Sequence, residues 1–363
     1  PDPEGGVIER DGDGVLNGII RERHNQLVGY LVPESEDEAL RPSLVSQLKA
    51  LFAKGITSYT QANGEPDYYS EWQQVYAEHT GDLPRGTIQH YWRGSLAMDA
   101  LRQRAQTDDE YLQLGPVKLL ADGGFTGPAA YTKTPYKGED EYRGKLNLPP
   151  EEIDEILRAA HIAGWQLGVH AIGDAAIELT VDILEDILAA HPRSDHRHYL
   201  NHFTVMPSLA TMDRMARLGI AISQQPNFLY TLEGRYVANL DGERLAHNNP
   251  MATPMARGVH VAMSSDILPI GPWVGVYAAT TRKGMSGTVY GPEEKISRVA
   301  ALKAYTSKAA WLTREENRKG MLKSGMLADF IVLDRNPLSV ADDDLLNIQV
   351  DETWLGGRLV YQR

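Results

Sequence analysis

Four side chains that can bind metals or move protons follow short apolar runs of the sequence. They are Lys118 in "GPVKLLADGG", His170 in "GVHAIGD", His202 in "LNHFTV" and Asp266 in "MSSD". Neutral imidazoles and carboxylates are ligands for zinc and similar divalent ions, which turn bound water into a nucleophile. A lysine ammonium cannot ligate a cation, so Lys118 fits only if its positive charge is removed, above all by reaction of the neutral amine with carbon dioxide to form a carbamate.

Each of these residues alone also has an ordinary structural interpretation. A lone histidine beside an apolar strand is more often a hydrogen-bonded structural residue, Lys118 would usually be solvated, and Asp266 would usually cap the next helix. A neutral lysine at a strand end could also be a Schiff-base nucleophile, as in an aldolase-like barrel. The metal hypothesis gains weight because all four residues fall at the same end of successive predicted strands, so a closed sheet would bring them together.

The elements that must position them alternate between strand and helix from Gly55 onward. Six strands are predicted, near "GITSYTQ", "GPVKLLAD", "QLGVHAI", "HYLNHFTV", "GIAISQQPN" and "HVAMSSD". This pattern predicts an α/β protein with a parallel sheet, and polar strand ends favour a TIM-like (β/α)8 barrel over a doubly wound sheet. Because closure needs eight strands, two strands of the barrel are expected to be missing from this chain.

The helical segments are marked by apolar stripes and end signals. "PPEEIDEILRAAHIAG" begins with two prolines and two acids and ends near Gly164, "DAAIELTVDILEDILAAH" follows the same logic, and "PEEKISRVAALKAYTSKAAWLT" predicts one long helix. The period then changes to two in "MLADFIVLD" and "ETWLGGRLVYQ". We therefore expect a partial barrel domain over residues 1–319, and a small C-terminal β unit, part of a β-sandwich domain, over 320–363.

Composition narrows the class of partner. The 363 residues carry a formal net charge of -13, which argues against nucleic acid and anionic membranes, and the absence of cysteine excludes disulfides and thiolate ligands. No apolar run reaches the roughly 18 to 20 residues of a membrane span. A small-molecule substrate is the resulting expectation. We also expect a cytoplasmic location and, as an option, a homo-oligomer, although the cysteine count leaves the redox compartment open.

Motifs along the whole chain resemble a known family. "GITSYTQA", "VKLLADGG", "VHAIGDAA", "NHF", "ISQQPNFLY", "SSD", "ATTR", "ALKAYTSKAAW", "GMLKSGMLADFIVLDRNPL" and "TWLGGRLVY" resemble, in this order, the metal-dependent amidohydrolase superfamily. The pattern is most similar to amidohydrolase family 3, in the branch that includes N-substituted formamide deformylases. The resemblance implies a metal-dependent hydrolase that acts on amide or other C–N bonds, other than peptide bonds.

The resemblance also implies roles for single residues. Lys118 would be a carboxylated lysine that bridges metals, and His170 and His202 would be ligands of one metal. Asp266 would be a ligand and also the base that deprotonates water and passes a proton to the leaving amine. The implied cofactor is a divalent metal, zinc above others, as one or two ions.

Further residues near the expected mouth of the barrel are candidates for other roles. Asp122 and Asp174 each follow a key strand residue by four positions, which favours helix capping or support of a ligand. For Phe125 and Trp273, simple loop packing is an equal alternative to substrate contact. The candidates for substrate binding, from the family pattern and side-chain type, are Phe125, Gln225, Asn227, Tyr230, Trp273 and Arg282.

One part of the family pattern has no counterpart. The family places a His-x-His pair on the first barrel strand, whereas the only such pair here is His196 and His198 in "SDHRHYL", before the His202 strand. We interpret that pair as a surface feature on the side away from the mouth. An open barrel would expose unpaired edges, so we expect the first strands to come from a missing N-terminal segment or a second chain. The alternative is a catalytically silent fragment that keeps the fold.

Overall fold

The computed structural model describes residue 2 and residues 7–21, 27–31, 37–105, 109–266 and 270–363. Most of the opening "PDPEGG" segment therefore lies outside the described residues. The strands, in chain order, are β1 (Val7–Arg10), β2 (Leu16–Arg21), β3 (Ser58–Gly64), β4 (Arg85–Tyr91), β5 (Leu112–Leu120), β6 (Leu167–Ala171), β7 (Tyr199–His202), β8 (Ala221–Gln224), β9 (Val261–Met263), β10 (Phe330–Leu333), β11 (Val350–Leu355) and β12 (Arg358–Gln362).

Seven of these strands form one parallel sheet. Its order, β3-β4-β5-β6-β7-β8-β9, follows the chain, so every neighbour pair is a strand, a crossover and the next strand. The sheet curls as part of a TIM-like barrel, and each strand ends at the same edge. Among the described residues β3 and β9 each pair on one side only, so the sheet is one strand short of eight.

The expectation of two missing strands is therefore wrong, because the sequence interpretation overlooked β4. Its sequence, "RGTIQHY", has few apolar side chains, yet six of its seven residues are buried. One of its polar side chains has a partner inside the barrel, since Gln89 Nε2 donates to the Tyr199 hydroxyl over 2.6 Å. A strand of this kind gives no apolar run to detect.

Helices cover the outer side of the sheet and fill the loops that follow its strands. The α-helices, in chain order, are α1 (Asp37–Phe52), α2 (Tyr69–Glu78), α3 (Ser95–Arg104), α4 (Pro150–Ile162), α5 (Asp174–Ala190), α6 (Leu209–Leu218), α7 (Asn227–Thr231), α8 (Glu233–Asn239), α9 (Gly242–Ala246), α10 (Ala252–Ala256), α11 (Pro272–Thr281), α12 (Arg298–Tyr305) and α13 (Ser307–Leu312). Short 3-10 turns lie at Gly29–Leu31, Pro66–Tyr68, Pro292–Glu294 and Asp342–Asn347. Among the helices of the described residues, none has the length and apolarity to cross a membrane.

The predicted helices differ in outcome. The α4 and α5 helices are confirmed, and α4 begins at Pro150, the second proline of its predicted start. The prediction of one long helix that ends near residue 313 is wrong. The helix is interrupted at Thr306, where φ is -118° and ψ is -94°. The Thr306 hydroxyl donates to the Leu302 carbonyl, a local bond that competes with the helical backbone ladder.

Two antiparallel sheets complete the fold. The first is the β1–β2 hairpin, and the second has the order β10-β11-β12. Gly356 and Gly357 form the tight turn between β11 and β12, with φ values of 58° and 79° that suit glycine. The period-two pattern thus correctly predicted strands within 320–363, and the division of the chain into domains at 319 stays a prediction.

Candidate active site

Lys118, His170, His202 and Asp266 meet at the end of the parallel sheet. The rings of His170 and His202 lie 4.4 Å apart between centroids, at an angle of 70°. Asp266 Oδ2 lies 3.8 Å from Nδ1 of His202, and the charge of Lys118 acts on both imidazoles and on Asp266. The structure therefore brings together the four residues that the sequence singled out.

A turned backbone is needed to place His202 there. In the parallel register Lys118 lies beside Gly168, and His170 shares the face of Gly168 because strand residues alternate. His202 lies beside Ala171, so regular alternation would point its side chain to the opposite face. Its φ is instead 79°, a left-handed value that costs a non-glycine residue about 1–3 kcal/mol. We infer that this conformation turns the imidazole towards His170.

The same type of backbone occurs in two further residues at this site. Phe203 has a φ of 51° and Asp266 a φ of 60°. Strained backbone conformations persist when the surrounding structure holds them in place, and they concentrate at functional sites. Asp266 does not cap the helix that follows, since Gly271 occupies the N-cap of α11.

Both imidazoles are largely enclosed, His202 at 8% residue exposure and His170 at 12% side-chain exposure, and both have lowered pKa values that favour the neutral ring. Burial, assisted by the Lys118 ammonium, lowers the pKa of His170 to about 3, against a weaker opposing hydrogen bond with the Gly123 backbone. Burial and the neighbouring His170 and Lys118 hold the pKa of His202 well below its usual range. A neutral imidazole keeps one lone pair, which is the form that ligates a metal.

Lys118 and Asp266 are shifted towards their uncharged forms. Burial lowers the pKa of Lys118 to about 8, although the Asp266 carboxylate opposes the shift. Burial raises the pKa of Asp266, and here the Lys118 ammonium opposes. Lys118 is only 5% exposed, so the interpretation of a solvated lysine does not hold. A lysine whose pKa is lowered to about 8, within the electrostatic reach of a carboxyl of raised pKa, is a setting for proton transfer or for chemistry on the amine.

The donor set fits a metal in part. Nε2 of His170 is buried and, within the described ranges, has no hydrogen-bond partner, so it is an orphaned atom that a ligand would satisfy. Nδ1 of His202 is 2.8 Å from Gln225 Oε1, which leaves its other nitrogen free to bind. In that same part of the chain, however, no three His, Asp or Glu side chains form a group that could hold an ion. The described residues thus supply two imidazole ligands and not a complete centre.

Asp122 holds the loop beside His170. Its carboxylate is fully buried and accepts hydrogen bonds from the backbone N–H groups of Tyr131, Ile172 and Gly173, at 2.9–3.0 Å. One of its oxygens lies 3.5 Å from Nε2 of His170. Three backbone bonds fix the end of β6 relative to the end of β5, which is the supporting role predicted for this residue.

Asp174 supports the next turn of the chain. Its carboxylate accepts from the backbone of Lys133 and of Ala175 at the start of α5. The bond to Lys133 joins the loop after β5 to the helix after β6.

The substrate-pocket candidates fall into two groups. Gln225 lies against His202, and Asn227 donates to the Ser265 carbonyl next to Asp266, with its own Oδ1 buried and unpaired among the described residues. Arg282 lies elsewhere, fully buried, and donates to four backbone carbonyls. Those carbonyls belong to Tyr290, Asn249, Ala246 and Asn248.

The three aromatic candidates pack among other side chains. Phe125 is buried between the rings of Tyr136 and Tyr236, at 5.5 and 5.4 Å. Tyr230 contacts Tyr277 edge to face, and Trp273 is partly buried against the main core. Their contact with a substrate stays a prediction.

His196 and His198 are not the surface feature that the sequence suggested. They are 2% and 0% exposed. Their burial was not expected, because the residues around them in the sequence are mostly polar. His198 Nε2 lies 2.8 Å from Nδ1 of His161, while His196 Nε2 lies 2.8 Å from the Leu218 carbonyl. They precede β7, at the end of the barrel opposite Asp266, so the expectation that they lie away from the mouth is confirmed.

Two further polar residues lie near the imidazoles. Asn201 lies beside His170 in the strand register, and its Nδ2 is buried without a partner in the described segments. Ser264 accepts a 2.6 Å hydrogen bond from Gln225. Asn201 directly precedes His202 in the sequence, and Ser264 lies two residues before Asp266. The register of the parallel strands was the signal that could have identified them.

Comparisons with known proteins agree with this fold. A family model described as an amidohydrolase family matches residues 1–361. The chain therefore belongs to the amidohydrolase family, as the motifs predicted.

Two curated relatives and one solved structure illustrate the likeness. "Putative amidohydrolase YtcJ" of Bacillus subtilis (strain 168) is 27% identical over 372 residues, which cover 100% of this chain and 69% of YtcJ. The N-substituted formamide deformylase of Arthrobacter pascens is 26% identical over 383 residues, covering 100% and 68%. An uncharacterized metal-dependent hydrolase from Pyrococcus horikoshii OT3 superposes with a TM-score of 0.72 at 22% identity, covering 88% of this chain and 64% of that one. The chain thus spans about two thirds of the length of these relatives.

Proposed function

We propose that this protein hydrolyses an amide or other C–N bond of a small molecule with the help of a divalent metal. The observation that carries the proposal is the adjacent pair of imidazoles, His170 and His202, with an orphaned buried nitrogen on the first and Asp266 beside the second. The family of the chain and the name of its deformylase relative support the same class of reaction.

His170 and His202 would hold the cation, with Asp266 and a carboxylated Lys118 as further ligands. A zinc ion, when bound, polarises a carbonyl and lowers the pKa of a water molecule to about 7. The carboxylate of Asp266 accepts a proton from the attacking water and donates it to the leaving nitrogen, a role that suits a carboxyl of raised pKa. Whether one ion or two bind is decided by ligands beyond the two imidazoles.

The substrate would enter at the end of the sheet where Gln225 and Asn227 lie. Asn227 Oδ1 is a buried acceptor without a partner in the described part of the chain, so it can receive an N–H of a substrate amide. N-substituted formamides are the first class to test, because the deformylase relative is named for them. The aromatic residues Phe125, Tyr230 and Trp273 would shape the apolar side of the pocket.

The test combines metal content with turnover. The protein is stripped with a chelator, reloaded with zinc, manganese or iron, and assayed on a panel of N-substituted formamides and amides. We expect stoichiometric metal in the wild type and turnover that His170→Ala and His202→Ala each reduce by at least about 100-fold. Arg235→Ala, on the exposed side of α8, is the matched control.

Two results would overturn the proposal. One is a chain that binds no stoichiometric metal and gains no hydrolysis with any of the three ions, which is the outcome for a silent fragment. The other is a covalent adduct on Lys118 after borohydride treatment with a carbonyl substrate, which is the outcome for a Schiff-base enzyme.

A further inference from the structure

Two consecutive buried glutamines at the end of β8 contact the turned backbone of β7. Gln224 is 0% exposed and its side-chain amide donates to the Phe203 carbonyl over 3.0 Å. Gln225 is 3% exposed and its Oε1 lies 2.8 Å from Nδ1 of His202. The two are joined, since the Gln225 backbone N–H donates to Gln224 Oε1 over 2.9 Å.

The orientation of the Gln225 amide is fixed by its other end. Its Nε2 donates to the Ser223 carbonyl over 3.0 Å and to Ser264 Oγ over 2.6 Å. A carbonyl oxygen can only accept, so Nε2 must face Ser223 and Oε1 must face His202. The ring nitrogen of His202 opposite Oε1 therefore has to carry the hydrogen.

This bond selects one tautomer of a neutral imidazole. With the hydrogen on Nδ1, the lone pair of His202 is on Nε2. Asp266 Oδ2 is 3.8 Å from the same Nδ1, beyond hydrogen-bond distance, so Gln225 is the partner that sets the tautomer. Gln225 and His202 are only 3% and 8% exposed, so water has little access to compete with Oε1 as the acceptor of the Nδ1 hydrogen.

We propose that Gln225 is a positioning residue: together with Gln224 it locks His202 in its left-handed backbone and in the Nδ1–H tautomer, and so presents Nε2 as the ligand. This differs from the substrate contact that the sequence suggested for Gln225. This inference rests on the proposed function only for the identity of the ligand, a metal ion, that Nε2 of His202 binds. The tautomer itself is a property of the chain without metal.

The test therefore begins with the metal-free protein. Histidine labelled with 15N is incorporated, metal is removed with a chelator, and ring 15N shifts are read, with the His202 signals assigned by their loss in His202→Gln. We expect a single tautomer with a protonated Nδ1 in the wild type. In Gln225→Met, which keeps the volume but removes the acceptor, this tautomer should give way to a mixture or to Nε2–H. Gln225→Glu, which restores an acceptor oxygen, should return it.

Gln166→Met is the matched control. Gln166 also uses its amide in two partly buried bonds, to the backbone carbonyls of Arg197 and Leu312, but at the opposite end of the barrel. This variant should leave the His202 signals unchanged. If Gln225→Met does not fold, Ser264→Ala, which removes one anchor of the Gln225 amide, should give an intermediate mixture of tautomers.

Zinc affinity supplies the second measurement. Competition with a chromophoric chelator should show about 10–100-fold weaker zinc binding in Gln225→Met and a loss of only a few-fold in Gln225→Glu. A wild type with Nε2–H, or a Gln225→Met protein that keeps pure Nδ1–H, overturns the inference. A wild type that binds no zinc but shows the expected tautomers contradicts the proposed function alone, so the two failures are distinguishable.

Discussion

At Lys118, stability and chemistry make opposite demands. The amine is buried, and burial lowers its pKa to about 8, so at neutral pH the folded state bears the cost of a partly desolvated charge. Lys118→Met should raise the free energy of unfolding by about 0.5–2 kcal/mol while reducing zinc binding and turnover. Urea unfolding at pH 7, with zinc titration of the same preparation, measures both.

A second buried lysine provides the contrast. Lys319 is paired with Glu315, at 9% and 3% side-chain exposure, so Lys319→Met should lower the free energy of unfolding by leaving the Glu315 carboxylate unpaired. If Lys118→Met destabilises the protein as Lys319→Met does, Lys118 is a structural residue and not a retained functional one.

The sequence could predict a site residue when its position at the end of a strand was enough to place its side chain in the site. Lys118, His170 and Asp266 follow from strand ends alone, because parallel strands all finish at one edge. The orientation of His202 could not be predicted, since it needs a φ of 79° that contradicts strand alternation. Arg282 shows the converse: its type suggested substrate binding, but its burial depends on loops whose path the sequence does not give.

At the scale of elements, apolar runs predicted six of the seven barrel strands, and polar composition hid the seventh. The β4 strand could be recognised only from its contacts in the fold, such as the hydrogen bond between Gln89 and Tyr199. The broken helix has the same origin, because the local bond of Thr306 outweighs a periodic pattern that runs through both α12 and α13.

The buried histidines that link α4 to β7 predict a pH dependence of stability. His161, His196 and His198 each have a pKa lowered first by burial and then by cations that include Arg193. The unfolded chain binds protons near pH 6.5, so these groups stabilise the fold above that pH and the contribution is lost as pH falls below it. We expect the free energy of unfolding to fall from pH 7.5 to pH 5.0.

A single substitution isolates this effect. His198→Asn keeps an acceptor for the Leu167 N–H but cannot titrate, so its stability should fall less steeply, by up to about 1.4 kcal/mol per pH unit below pH 6.5. Urea unfolding at several pH values measures the slopes, with His79→Asn, outside the cluster, as the control. Equal slopes in wild type and His198→Asn would assign the acid sensitivity to other groups.

At the scale of the whole molecule, the C-terminal sheet docks at the end of the barrel opposite the candidate site. The Thr353 hydroxyl donates to the Phe52 carbonyl at the end of α1, and Arg358 forms an ion pair with Asp82 before β4. Arg85, the first residue of β4, pairs with Asp329 just before β10. Residues 320–363 therefore stabilise the starts of the strands, while the ends of the strands stay available for chemistry.

The Arg85–Asp329 pair should be the main energetic link between the barrel and this sheet. Both side chains are buried, at 2% and 5% exposure, and two nitrogens of Arg85 bind the carboxylate at 2.7 and 3.2 Å. Arg85→Met leaves a buried carboxylate whose remaining bond is to the Gly356 N–H, so we expect a loss of about 3–5 kcal/mol. The double variant Arg85→Met with Asp329→Leu should recover most of it, because both buried charges are then removed and Glu110, the other carboxylate that Arg85 binds, is 42% exposed.

The coupling energy is measured by a double-mutant cycle with urea unfolding. The cycle is repeated in about 0.5 M salt, which screens exposed charges. The surface pair Arg257–Asp213, also joined at 2.7 Å but with side chains 32% and 55% exposed, is the matched control and should couple by less than about 1 kcal/mol. The buried pair should couple several-fold more strongly and lose little in salt, because water and ions do not reach it. A coupling energy as small as that of the surface pair would mean that the sheet is held by its apolar contacts, and that residues 320–363 do not depend on this charge pair for their position.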